Sequence, residues 1–359
     1  MVVAALVGVA LLAYATGSCG GTANAPQARR STGGATSAGA PVATPSPGPL
    51  PGFLLIADRG NNRLLLVDAR KRVLWVYPRP GTTPSFPFRY DDDAFFCPGD
   101  RAVISSQEDQ HTIQIVSFPE GKVLWHYGHP DQAGSAPGYL DRPDDAYLLP
   151  DGTRTVADIL NNRVLFISPA GRIVRQYGTT GSSGHQPPDL LGSPNGDTPV
   201  PGDGMLITEI NGSWLDAISA RGKLEWSVTT PASYPSDAQP LANGTFLLAD
   251  YTSPGRLFVI DRGGATLWSY GPSSGRGALD HPSLALPLPN GMIAVTDDYR
   301  HRVVVIDPAR RRIVWQYGHT DVPGTAAGFL DTPDGLDFLS YDAVARDPAL
   351  RPLLTGSRL

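Results

Sequence analysis

Residues 143–178, PDDAYLLPDGTRTVADILNNRVLFISPAGRIVRQYG, decide how this chain folds. Short apolar segments at 146–149, 153–157, 163–168 and 172–177 are cut by turn signals at Pro150-Asp151-Gly152, at 158–162 and at Pro169-Ala170-Gly171. Runs this short, rich in Val, Ile, Leu and Thr and bounded by Gly, Pro and Asn, are strands rather than helices. Four consecutive antiparallel strands make one small twisted sheet. Such a sheet cannot bury both faces alone, so it needs copies of itself as neighbours.

The chain supplies five more copies, at 56–77, 104–128, 207–228, 248–271 and 295–318. An acidic or polar position after each second strand falls at Asp58, Ser106, Asp158, Glu209, Asp250 and Asp297. The intervals of 48, 52, 51, 41 and 47 residues are those of a propeller blade. The first copy lacks an opening strand, and 332–339, TPDGLDFL, matches the opening strand of the central unit. The expectation is an all-β, six-bladed β-propeller of four-stranded antiparallel blades, its ring closed by the C-terminal strand. Closure removes the sheet edges that an open array would leave unpaired.

Composition agrees with many turns and a sizeable core: 41% hydrophobic and 18% charged residues, with 40 Gly and 35 Pro in 359. A net charge of -5 argues against a nucleic-acid partner. The chain divides into an apolar leader (1–19), a Gly/Ala/Thr/Pro tether (20–51), the propeller (52–340) and a C-terminal tail (341–359). The tether lacks the apolar side chains needed to pack, and its flexible length would reach roughly 30 Å. Cys97, in an apolar strand position, is expected to be a buried core thiol, with no disulfide framework.

Three sets of residues carry resemblances. The leader and the run Thr16-Gly17-Ser18-Cys19 resemble a bacterial lipoprotein signal. That implies lipidation at Cys19, membrane anchoring and an extracytoplasmic address; an ordinary cleaved signal, with secretion, is the alternative. The segment GYLDRPDDAYLLPDG with VADILNNRVLFISPAGRIVRQYG resembles the NHL repeat of six-bladed propellers. The pattern G-K-x-x-W at 121–125 and 222–226 is similar to the tryptophan-docking repeat of PQQ-type propellers. Trp75, Trp125, Trp226, Trp268 and Trp315 recur at one fourth-strand position and are expected to fill gaps between blades.

In a four-stranded meander, the starts of the innermost strands, the second-to-third-strand loops and the interblade loops share one face. Interblade loops at 129–142, 179–193 and 319–332 are long enough to suggest function there. At the centre of that face the innermost strands open with Asp92-Asp93, Asp144-Asp145, Asn195, Asp237 and Asp334, the expected ligand-binding set. This acidic ring is similar in kind to that of calcium-holding propellers of the lactonase and phosphotriesterase type. The resemblance implies Ca2+ on Asp93, Asp145, Asn195 and Asp237, whose oxygens suit that ion; the alternative is turn capping.

The first reading is therefore a monomeric binding or interaction module for a protein or small-molecule ligand. The second is a metal-dependent hydrolase, lactonase or lyase with its cation at the mouth. A third rests on HPSLALPLPNG (281–291), which resembles the histidine element of arylsulfate sulfotransferases and would make His281 a nucleophile. The seven histidines are not expected to meet in one site. Arg63, Arg163, Arg256 and Arg302, each opening a third strand, would pair with neighbouring Asp residues or bind an anion.

Overall fold

A computed structural model describes residues 48–202 and 204–359. The leader with Cys19, and the tether up to residue 47, lie outside the described residues. Six four-stranded antiparallel sheets form the blades of a propeller. Blade one takes its innermost strand, Pro333–Ser340, from the C-terminal region and its other three, Gly52–Asp58, Arg63–Asp68 and Val73–Tyr77, from the N-terminal region. Pairing from Gly52↔Ser340 to Asp58↔Pro333 closes the ring as expected.

A local motif sets each second-to-third-strand turn. In DRGNNR (58–63) and DILNNR (158–163) a three-residue 3-10 turn ends on Asn62 or Asn162 at φ of 53 or 55, a left-handed conformation that Asn tolerates. The acid binds the rest of the motif: Asp58 accepts from Asn61 (2.9 Å) and Arg63 (2.7 Å), and Asp158 does the same with Asn161 and Arg163. Its other oxygen accepts a backbone N–H from the loop arriving from the preceding blade. Asp331 donates to Asp58, Asp141 to Asp158, Ser233 and Tyr234 to Asp250, and Asp280 to Asp297. The four third-strand arginines thus pair with Asp58, Asp158, Asp250 and Asp297, the structural outcome of the two expected. In blade two the strand-end pair is Gln107↔Thr112, so Gln107 and not Ser106 holds the equivalent position. That blade has no acid to mark the register.

The fourth-strand aromatics join blade to blade. Indole N–H groups of Trp75, Trp268 and Trp315 donate to Pro119, Pro308 and Ala69 of the next blade, the last across the closure. Where Trp is missing, Arg175 donates to Ala220 of blade four and lies 4.6 Å over Phe166. Cys97 is buried in the core. Burial pushes its thiol up to about 12, away from thiolate chemistry.

Both ends of the propeller segment pack. Leu50, inside the span assigned to the tether, is 1% exposed, and Asn290 donates to the carbonyls of Gly48 and Pro49. The tail after residue 340 forms two short helices, Tyr341–Arg346 and Pro352–Thr355. Ser340 caps the first by accepting from the Ala343 N–H. Val344, Leu350 and Leu353 are buried against blade one, and Tyr341 packs edge-on against Phe53.

Candidate functional site

The innermost strands carry the mouth residues on a bulge. Between Asp91 and Ala94 the strand spends one residue more than its partner, and the same occurs at 143–146, 235–238 and 333–336. A bulge leaves residues unpaired and re-aims their side chains. Here it releases Asp92-Asp93, Asp144-Asp145, Ser236-Asp237 and Asp334-Gly335 from the regular ladder. All seven expected ligand-binding residues are buried, from 1% exposure at Asp145 to 8% at Asp144.

The carboxylates gather in two groups. At the outer level Asp92, Asp93 and Asp144 can each offer an oxygen within 4.8 Å of the others. Arg59, from the 3-10 turn of blade one, bonds Asp92, Asp334 (3.0 Å), Glu108 (2.5 Å) and Asp109 (2.9 Å) at once. Arg142 also reaches Glu108 and Asp109. Two guanidinium groups thus hold four carboxyl groups, while Asp93 and Asp144 beside them have no Lys or Arg partner among the described residues. Deeper lie Asp145, Asp197 and Asp237: Asp145 accepts the Asp197 backbone N–H at 3.3 Å, and Asp237 accepts from Thr198 and Gln239. No Lys or Arg pairs with these three among the described residues.

The charges do not balance. Burial, reinforced by Asp334 and Asp237, pushes the Asp93 carboxyl up to about 8. Burial raises Asp237 to about 7 and holds Asp92, Asp144, Asp145 and Asp197 well above the carboxylate range. Asp93 Oδ1, Asn195 Oδ1 and both oxygens of Asp197 and of Asp298 are buried without a hydrogen-bond partner. Unpaired buried oxygens are what an oxygen-loving cation would satisfy. The close triad shares only Asp93 with the expected metal set; Asp145, Asn195 and Asp237 are not part of it.

An aromatic wall borders the mouth on the side of blades five and six. Tyr251 packs against Tyr234 (5.3 Å between ring centroids) and His281 (4.9 Å), and His281 against Tyr299 (4.5 Å). His281 Nδ1 lies 2.6 Å from Asp280. It is thus bordered by an acid and two tyrosines. A cavity lined by Arg276, Asp280, Arg300, Arg302 and Gln316 opens on the same face, away from the acidic triad. Two of its three arginines are engaged, Arg300 with Asp321 and Arg302 with Asp297.

Sequence reasoning did not include Arg59, Glu108, Asp109 or Asp197 in the site. Arg59 and Glu108 were available from their place in second-to-third-strand loops on the indicated face. Asp197 lies beside the two-residue strand Pro199–Val200, too degenerate to fix a register.

No protein-family model and no curated protein matches the chain. Among solved structures, a protein of unknown function from Bacteroides caccae aligns with a TM-score of 0.55 at 17% identity, over 80% of this chain and 98% of that one. Selenomethionine-substituted virginiamycin B lyase from Staphylococcus aureus aligns at 0.52 and 15% identity, over 81% and 89%. A streptogramin B lyase structure gives 0.52 and 15%, over 79% and 83%. At such identities the likeness is one of fold.

Proposed function

We propose that this chain is a lipid-anchored, extracytoplasmic propeller of NHL-like repeats that binds a cation in its acidic mouth and acts as a binding module. The observation that carries the reading is the gathering of Asp92, Asp93 and Asp144 within 4.8 Å beside one overcommitted arginine. Such a charge set stays ionised only with an added positive charge, and an all-oxygen donor set suits calcium. The ring residues are 8% exposed or less, so the occupant is small: a metal ion rather than a bulky substrate. A ligand or protein partner would then meet the long-loop face around the filled mouth.

Calcium should raise the unfolding temperature of the chelator-treated protein, and Asp145→Asn with Asp237→Asn should reduce that gain. At a hundredfold excess over Kd the bound state gains about 2.7 kcal/mol, which a melt resolves. A melt unchanged across millimolar calcium would return these aspartates to a structural role. A second reading, a metal-dependent hydrolase or lyase, would use an ion held by the same acidic set to activate water or polarise a carbonyl. Turnover of a lactone or ester library that is lost with Asp237→Asn would select it.

A further inference from the structure

Blade four alters a pattern that four of the other blades share. In blades one, three, five and six the acid ending the second strand takes a guanidinium from the residue opening the third. Blade four keeps the acid as Glu209 but has Trp214 where the arginine would stand. Glu209 still accepts the backbone N–H of the incoming loop, here from Gly192. Its other oxygen lies 2.8 Å from Nδ1 of His185, which comes from the long loop 179–193. The imidazole lies flat on Trp214, with 3.8 Å between ring centroids and planes 4° apart. Its Nε2 is 3.1 Å from the Ser227 hydroxyl.

The same blade also adds an acid. Two residues beyond the strand-end pair, the register places Leu65, Gln114, Leu165, Phe258 and Val304 in the other blades, but Asp216 here. Asp216 is 0% exposed, and neither of its carboxylate oxygens has a hydrogen-bond partner. It faces Glu209, and one ligand atom each from His185, Glu209 and Asp216 fall within 4.8 Å of one another. The blade has therefore lost a fixed positive charge and gained a buried negative one at the same place.

We propose that His185, Glu209 and Asp216 bind one first-row divalent transition metal ion, with Zn2+ as the representative, which pins loop 179–193 onto blade four. One imidazole nitrogen with two carboxylates is a donor set for such metals, whereas calcium and magnesium take oxygen. Ligation through Nδ1 leaves the Nε2–H to donate to Ser227, a partner that fixes the ring. The His185 side chain is 23% exposed, which gives the ion a way in, while both carboxylates are closed from solvent. The site is separate from the acidic mouth and does not rest on the function proposed for it.

The test uses tag-free protein, stripped with chelator and titrated with zinc chloride in a calorimeter, with metal analysis of the dialysed product. One zinc per chain should be retained, and its affinity should fall by about a hundredfold or more in His185→Gln and in Asp216→Leu. Asp216→Leu installs the residue that blades one and three carry, so it should fold; His185→Gln tests the site without touching the core. The mouth variant Asp145→Asn/Asp237→Asn should keep the zinc, which separates this site from the calcium reading. Failure of the parent to bind zinc at micromolar concentration would overturn the proposal. So would equal binding by parent, His185→Gln and Asp216→Leu; Glu209 and Asp216 would then share a proton in place of an ion.

Discussion

Arg59 faces four carboxylates with one positive charge, and that imbalance makes the mouth sensitive to pH. Asp93 and Asp237 are raised from 3.8 to about 8 and about 7, in each case first by burial. Between pH 4 and their folded values the native chain holds protons that the unfolded chain has released. Stability is therefore greatest in mild acid and is lost as pH rises toward 7 and 8. The slope is about 1.4 kcal/mol per pH unit for each carboxyl involved. Melts of the chelator-treated protein from pH 4.5 to 8 should show the midpoint falling, and Arg59→Met should steepen the fall. A flat or rising profile would mean that the mouth is already neutralised. The Asp-Asp pairs were legible in the sequence because two acids open strands that otherwise run apolar. Arg59 lay in a loop of the indicated face, but its role was not legible, since its partners Asp92 and Asp334 are 33 and 275 residues away and meet it only in the closed ring.

At the scale of the strand, the repeat was readable wherever the motif Asp-x-x-Asn-Asn-Arg survived, because acid, amide and guanidinium bond one another within a single turn. Blade two, with Gln107 and Thr112 in place of acid and arginine, gave no such mark, and its position was assigned one residue early. The match of 332–339 to an opening strand did identify the missing partner of Gly52–Asp58. Removing residues 333–359 should strip that strand, together with the packed side chains Leu339, Val344, Leu350 and Leu353. Deleting four fully buried aliphatic side chains alone would cost on the order of 10 kcal/mol, comparable to the stability of a whole domain. The truncated chain should be unfolded or aggregated by circular dichroism and gel filtration. Retention of the parental melting and denaturant midpoints would refute the closure.

For the molecule as a whole, the fold was legible because six imperfect copies average out individual departures. The candidate sites were not, because they are built from single residues that break the repeat: Arg59, Asp197, Trp214 and Asp216 each occur in one blade only. The address likewise rests on one residue, Cys19. If Cys19 carries the proposed lipid, the protein expressed in a bacterial host should sediment with membranes, and Cys19→Ala should release it or block its processing. A single acyl chain holds only marginally, so firm sedimentation requires the multiply acylated end of a lipoprotein. Soluble wild-type protein cleaved at another site would leave secretion and remove the anchor.

The strand Pro333–Ser340 also sets a clock. Blade one cannot assemble its sheet until residue 340 has been made, roughly 14–56 s after residue 58 at ordinary elongation rates. Until then Gly52–Asp58 waits with an unpaired edge, and the clasp from Trp315 to Ala69 has nothing to join. The nascent chain is therefore kept from its closed ring until that strand is made. If the chain is exported through a membrane pore, as proposed, such a delay would keep it passable until that strand is made.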